Sequence, residues 1–249
     1  MIIKSFFDYN EYSIDLSKGI DLSIAIHPKH GVNAFHIPDA KFEPIRVGSF
    51  VGSVAEGGSA NCENLFINAH GNGTHTECVG HISKERICIN DCLKKFHFYA
   101  QVISVSPVEK SGDHIVELES ISQLQRLPDV EALIIRTLPN TLDKKNKNYS
   151  GQNPCYLSAA LCEKIRLMGY KHLLVDLPSV DREEDAGALA AHKSFWNYNE
   201  KAILDMTITE LIYVPDEVED GTYFLNIGIS SLMTDASPSK PVIYKMTKR

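Results

Sequence analysis

The chain has 249 residues, 43% apolar and 23% charged, with a formal net charge of −7 and a sequence pI near 5.8. These values set aside intrinsic disorder, and the acidic balance sets aside a nucleic-acid partner, which would call for a concentrated Lys/Arg surface. No apolar run approaches the roughly 18–20 residues that span a bilayer, and the start, Met1-Ile2-Ile3-Lys4-Ser5-Phe6-Phe7-Asp8, carries no secretory pattern, so the expectation is a cytoplasmic protein with no membrane partner.

A chain of this length can bury one sizeable core, and a single domain over 1–249 is expected. Residues 14–26 alternate apolar and polar about a Lys18-Gly19 turn and read as a strand with one buried face. His27 to Pro44 carries three prolines and reads as an irregular loop, with His36 able to reach a substrate or simply meet solvent. Residues 45–54 read as a strand followed by a Gly57-Gly58-Ser59 turn, and residues 62–69 as a short strand. Residues 92–106 form an apolar, aromatic-rich strand with which 115–118 pairs, and 119–127 read as helical. The continuous apolar run 132–137 has the signature of a strand buried on both faces. The polar stretch 140–154 reads as an exposed loop. A helix over 157–168 stops at Gly169, and the strand 171–176 follows it, an α/β unit in which His172 is structural. Residues 223–229 and 241–245 read as closing strands. The six cysteines (Cys62, Cys78, Cys88, Cys92, Cys155 and Cys162) are irregularly spaced and read mostly as buried thiols, with Cys88 and Cys92 a remote second metal candidate.

The chemistry concentrates in residues 68–81, where His70, His75, Glu77 and His81 fall within twelve positions together with Gly71 and Gly73. In an extended segment residues two apart share a face, so His75 and Glu77 present nitrogen and oxygen to one ion. A turn at Gly71-Asn72-Gly73 can return His70 to it. Imidazole with carboxylate suits zinc, and also manganese or iron. The five-residue histidine spacing departs from the four of a helical zinc-protease motif. His81 is placed to carry a proton, because an unperturbed imidazole titrates near neutrality.

Residues 68–81 resemble the signature of the cyclase family of metal-dependent hydrolases, the kynurenine formamidase and isatin hydrolase type, which runs His-x-Gly-Thr-His-x-Asp-x-Pro-x-His. Here Gly73-Thr74-His75-x-Glu77 and His81 fall in register. The resemblance extends to Ile14-Asp15-Leu16-Ser17 or Ile20-Asp21-Leu22-Ser23, Ile135-Arg136-Thr137, Asp176 to Asp181 with His192, Thr209-Glu210-Leu211 and Asp235-Ala236-Ser237-Pro238. It implies an α/β fold of the swivelling β/β/α type with mixed sheets. It implies a divalent metal, zinc first and manganese second, as one or two ions, held by His70, His75, Glu77, His192 and Glu210, with His81 as general acid/base. It also implies a homodimer or larger homo-oligomer acting on a small-molecule substrate.

Three departures stand out: one extra residue separates His70 from Gly73, Glu77 replaces the signature aspartate, and Val79 stands where the family has proline. The interval from His192 to Glu210 is also long and carries Phe195, Trp196 and Tyr198, which are expected to wall a pocket, with Glu200 as a competing ligand. The expected function is an arylformamidase-like hydrolase cleaving the C–N bond of a small amide or lactam through metal-bound hydroxide. The alternatives are a non-catalytic metal- or ligand-binding protein and a lyase or cyclase on the same scaffold.

Overall fold

Alternating burial along residues 97–105 and 221–229 and nearly continuous burial along 130–137 and 172–175 produce a sheet with a hydrophobic layer on each side. In the computed structural model, which describes residues 1–249, the main strands are β1 (His75–Cys78), β2 (His97–Val105), β3 (Val130–Thr137), β4 (His172–Val175), β5 (Thr207–Glu210), β6 (Gly221–Ile229) and β7 (Ala236–Lys248). Their order is β7-β6-β2-β3-β4-β5-β1, and β1 pairs back onto β7, closing the sheet into a seven-stranded barrel. Neighbours from β2 to β5 run parallel, and the remaining pairings are antiparallel. Closure leaves this mixed α/β sheet without the open edges that invite mispairing.

The barrel is filled by one buried cluster that includes Cys78, Ala100, Ala132, Ile134, Leu174 and Ile243. The alternate residues Leu133, Ile135, Leu173, Val175 and Ile208 belong to a second cluster on the outer face. Two helices cover that face. Ala159–Leu167 has Ser158 as N-cap and buries Leu161, Cys162 and Ile165; it ends at Gly169, whose φ of +90° is the left-handed conformation that glycine adopts freely. Ala190–Phe195 buries Ala191, His192 and Phe195. The α/β mixed-sheet class, the doubly buried strand at 132–137 and the helix-then-strand unit after 157 are all present.

Several local expectations change. Residues 45–54 are a small hairpin, Arg46–Val47 with Phe50–Val51, turning at Gly48, and Lys41–Pro44 leaves the expected loop to pair with Glu63–Phe66. Residues 113–116 pair with Val108–Lys110 and Tyr156–Leu157 instead of with β2, and the helical stretch after 118 is a single 3-10 turn, Leu118–Ile121. An unforeseen N-terminal hairpin, Ile2–Phe7 with Asn10–Asp15, extends the sheet by pairing with the far end of β7. No helix is long and apolar enough to cross a membrane.

His172 is buried, with its Nδ1 2.9 Å from Thr207 Oγ1 and its ring 4.0 Å from that of Phe98. Burial, reinforced by Lys171 and Lys95, lowers its pKa to about 3. The folded state therefore favours the neutral ring. Stability is full above the unfolded-state value near 6.5 and falls as pH drops toward 3, by up to about 1.4 kcal/mol per pH unit. His172→Gln should flatten this slope. Urea midpoints compared at pH 7 and pH 5 check it: the parent should lose more stability than the variant over that interval.

Candidate metal centre

The site is built where β1 lies between β5 and β7. His75 is paired with Glu210 and Glu77 with Ile208 across one side, and with Pro238 and Ala236 across the other. Alternation sends Thr76 and Cys78 toward the barrel interior and His75 and Glu77 toward the outer face. Thr76 and Thr209 seal the inward side with a 2.8 Å hydroxyl contact.

His70 arrives from a single helical turn, Ala69–Asn72, capped by Asn68, whose side chain accepts from the His70 N–H. That turn absorbs the extra residue after His70, and His70 Nδ1 lies 3.1 Å from Glu77 Oε2. The glycines serve close approach. Gly73 is extended, at φ 166°, and a Cβ there would stand 2.7 Å from Ile26; one on Gly71 would stand 2.6 Å from Ile37, and one on Gly80 2.0 Å from the Ile87 carbonyl oxygen. Gly80 thereby sets the 3-10 turn Val79–His81 that carries His81 into the site without the family's proline. His192 is delivered by the helix Ala190–Phe195 on the opposite side.

These residues converge. His192 Nε2 lies 3.0 Å from Glu77 Oε1 and 3.7 Å from Glu210 Oε1. His75 Nε2 lies 3.4 Å from Glu210 Oε2, and His81 Nδ1 lies 3.8 Å from Glu77 Oε2. Glu77 and His75 are fully buried, while His70 and His81 remain part-exposed, with side chains 22% and 29% accessible. Solvent therefore reaches the site past these two rings, through a cavity of about 190 Å³ also lined by Phe35, Asp181 and Leu189.

Two further carboxylates join that the motif reading did not assign a role. Asp181 Oδ2 accepts the His192 Nδ1–H at 2.6 Å, and its two oxygens also accept the backbone N–H groups of Ala191 and His192. Asp235, just before β7, lies 2.8 Å from His70 Nε2 and 3.5 Å from His81 Nδ1. Asp181 ends the Asp176-to-Asp181 stretch of the resemblance, eleven residues before His192; Asp235 begins the Asp235-to-Pro238 segment, but only the fold brings it beside His70. His36 stays away from the cluster, with its ring beside Gly151, and Glu200 is exposed. Phe195 and Trp196 do not wall the pocket: both are fully buried in the outer core, where the Trp196 Nε1–H donates to the Met206 carbonyl.

The charges of the site call for a cation. His75 Nδ1 is positioned to donate to the Gly73 carbonyl at 3.1 Å, and His192 Nδ1 to Asp181, so the Nε2 atom of each ring faces a carboxylate. His75 Nε2 and Glu77 Oε2 are buried without a hydrogen-bond partner. Burial opposes charging of His70 and His192, yet the carboxylates beside each outweigh it and raise both to about 10. Burial likewise pushes Glu77 up, but His81, His192 and His70 carry it well below the usual carboxylate range. A divalent ion in place of those protons satisfies the same nitrogens and carboxylates at once. The compatible donor sets are His70, His75 and Glu77; Glu77, His81 and His192; and His70, His81 and Asp235. They share members and contain no cysteine, which suits a hard or borderline divalent cation.

A closed mixed barrel with this buried nitrogen and oxygen donor set defines a divalent-metal protein. Residues 20–182 match the family model described as putative cyclase. The kynurenine formamidase of Bacillus cereus strain ATCC 14579 is 28% identical over 234 residues, covering 92% of this chain and 96% of that one. The kynurenine formamidase of Bacillus mycoides strain KBAB4 is 30% identical over 190 residues, covering 75% and 81%. Among solved structures, a potential metal-dependent hydrolase with cyclase activity superposes at TM-score 0.66 with 15% identity, covering 92% of this chain and 98% of that one. Isatin hydrolase A from Labrenzia aggregata, bound to benzyl benzoate, superposes at 0.67 with 13% identity, covering 93% and 94%. This chain belongs to the cyclase family. The matched region begins at Ile20, so Ile20-Asp21-Leu22-Ser23, rather than the earlier Ile14 to Ser17, lies within it.

Asp181 orients His192 through the nitrogen that faces away from the site. Asp181→Asn should leave the fold intact and weaken divalent-metal affinity by about 10–100-fold, the usual size of such outer contacts; competition against a chromogenic chelator measures it. Gly80→Ala should cost about 1–3 kcal/mol of stability through overpacking against backbone, read from urea unfolding.

Proposed function

We propose that this chain is a metal-dependent hydrolase cleaving the C–N bond of a small amide or lactam, as the names of its kynurenine formamidase and isatin hydrolase relatives suggest. The observation that carries the reading is the convergence of two buried imidazole Nε2 atoms, on His75 and His192, with the buried carboxylates of Glu77 and Glu210. His70, His75, Glu77, His192 and Glu210 are the proposed ligands. Zinc is the first choice and manganese the second, with one or two ions. When bound, a divalent cation supplies Lewis acidity toward water and toward a carbonyl oxygen.

The protein's own groups do the rest. Asp181 holds His192 in one tautomer and orientation. His81, part-exposed in the cavity and beside the Asp235 carboxylate, takes a proton from the attacking water and returns it to the leaving nitrogen as the C–N bond breaks. Phe35 and Leu189 give the small cavity an apolar margin that accommodates an acyl or aryl group. The Nδ1–H of His75 is committed to Gly73, so His75 is a ligand and not a proton carrier.

The protein is also proposed to act in the cytoplasm as a homodimer or larger homo-oligomer. Leu65 and Phe66 are 59% and 55% exposed on the small sheet formed by Lys41–Pro44 and Glu63–Phe66, apolar surface that a second copy would cover. Light scattering at micromolar concentration should return at least twice the monomer mass; a monomer would overturn this part.

Removal of metal by a chelator should abolish hydrolysis across an amide and lactam panel, and zinc or manganese should restore it. Oxygen-18 from labelled water should appear in the carboxylate product; its absence would favour a lyase or cyclase. Bound metal with no turnover of any panel member would favour a binding protein. His81→Ala should lower kcat by roughly 100-fold or more while metal content stays near the parent value. Loss of the metal would make His81 a ligand instead.

A further inference from the structure

We propose that Leu189 is a specificity-determining residue, an apolar wall that selects substrates carrying an apolar group about the size of one ring beside the scissile bond; the inference rests on the hydrolase reading above. Leu189 stands directly before the helix Ala190–Phe195 and is half-buried. It lines the cavity of about 190 Å³ at the metal centre, where Phe35 is the only other hydrophobic lining side chain. Discrimination by apolar contact therefore falls to these two residues.

Local structure gives no reason for a leucine at this position. It opens a helix, where Ser, Thr, Asp or Asn ordinarily caps the first N–H groups, and Leu189 makes no side-chain cap hydrogen bond. Asp181 caps the helix instead, from earlier in the chain, by accepting the N–H groups of Ala191 and His192. The Leu189 backbone is left-handed, at φ +47°, a conformation that crowds the Cβ of any L-residue. Nor does the core retain the side chain: the outer hydrophobic cluster takes Ala191, Phe195 and Trp196 from this segment, and not Leu189. A large apolar side chain on unfavourable backbone, outside the core and lining a largely polar cavity, breaks local rules in the way that residues held for a ligand do.

The preceding loop fixes it there. Asp185 accepts the N–H groups of Gly187 at 2.8 Å and Leu189 at 2.6 Å, and the Ala188 N–H donates to the Asp185 carbonyl at 3.1 Å. Ala186 and Gly187 are left-handed as well, so one carboxylate holds a turn of unfavourable backbone that ends in Leu189. Glu183 ties the same loop to the neighbouring segment by accepting the Gly151 N–H at 2.8 Å. There Ser150 Oγ accepts the N–H of His36, the residue after Phe35. The two apolar walls are thus joined through polar contacts to backbone. They differ in one respect: Phe35 packs against the cluster of Ile24, Val32 and Tyr149, and Leu189 has no such second role.

Zinc-loaded protein is titrated calorimetrically with benzoate and with acetate, two carboxylates that differ by the ring. The parent should bind benzoate more tightly. Leu189→Gly should shrink the benzoate-to-acetate preference by about tenfold or more, with acetate affinity and zinc content near the parent values, while Leu189→Met keeps the preference. Glycine adopts this φ freely, so Leu189→Gly should melt about 2–4 °C above Leu189→Ala, which also lacks the side chain but keeps the crowded Cβ. A parent without preference for benzoate, a preference unmoved in Leu189→Gly, equal weakening of both carboxylates, loss of zinc from that variant, or a glycine variant melting below the alanine one would overturn the role. The titrations need no turnover. A preference that follows Leu189 without hydrolysis of any amide would sink the hydrolase reading alone, and hydrolysis with a preference indifferent to Leu189 would sink this inference alone.

Discussion

A carboxylate that water does not reach governs this molecule. Glu77 is fully buried, and a charge taken out of water is tolerated only where opposite charge and directed dipoles replace its hydration. Three histidines approach it, from the capped turn at Ala69–Asn72, from the turn at Val79–His81, and from a helix some 110 residues later in the chain. Each of these elements is positioned by something other than the site itself. Asn68 caps the first, the tight fit at Gly80 fixes the second, and Asp181 anchors the third by accepting from two backbone N–H groups. The compensating groups are therefore preorganised, and their geometry does not rely on the ion to create it.

The division of the barrel wall into two chemistries follows from strand period alone. On β1 the inward residues are Thr76 and Cys78, and the outward ones are His75 and Glu77; the same alternation on β5 separates Thr207 and Thr209 from Ile208 and Glu210. One layer of side chains thus closes an apolar interior while the adjacent layer builds an ion site. The outer helices complete the arrangement, because Ala190–Phe195 buries Phe195 in the hydrophobic layer and His192 in the polar one within a single short segment. Trp196, read from sequence as a pocket wall, belongs to the hydrophobic layer for the same reason: it continues the buried face of that helix.

The residues of the site were legible wherever chemistry was concentrated in a short run. His70 to His81 stand out by spacing, the doubly buried strand at 132–137 by its unbroken apolar character, and the helix that follows residue 157 by its terminal glycine. Asp235 was not legible as a site group, since an isolated acid in a polar segment acquires meaning only when β7 pairs with β1 and sets it beside His70. The N-terminal hairpin escaped for a different reason. Its turn places Asp8 and Tyr9 at positive φ, a conformation usually announced by glycine or asparagine. Residues 45–54 were legible as extended chain, but not the turn at Gly48 that divides them into a two-stranded hairpin.

The closing strand has a bearing on biosynthesis. β7 is made last among the barrel strands, yet it is the neighbour of β1 and follows directly on Asp235. A chain still emerging from the ribosome can form the parallel layer of β2 to β5 and can display His70, His75 and His81, but it has no wall on the far side of β1. Glu77 then remains hydrated, and the pressure that makes a cation necessary is missing. The burial of Glu77, and with it the electrostatic demand for a cation, is consequently completed by the same pairing that closes the barrel.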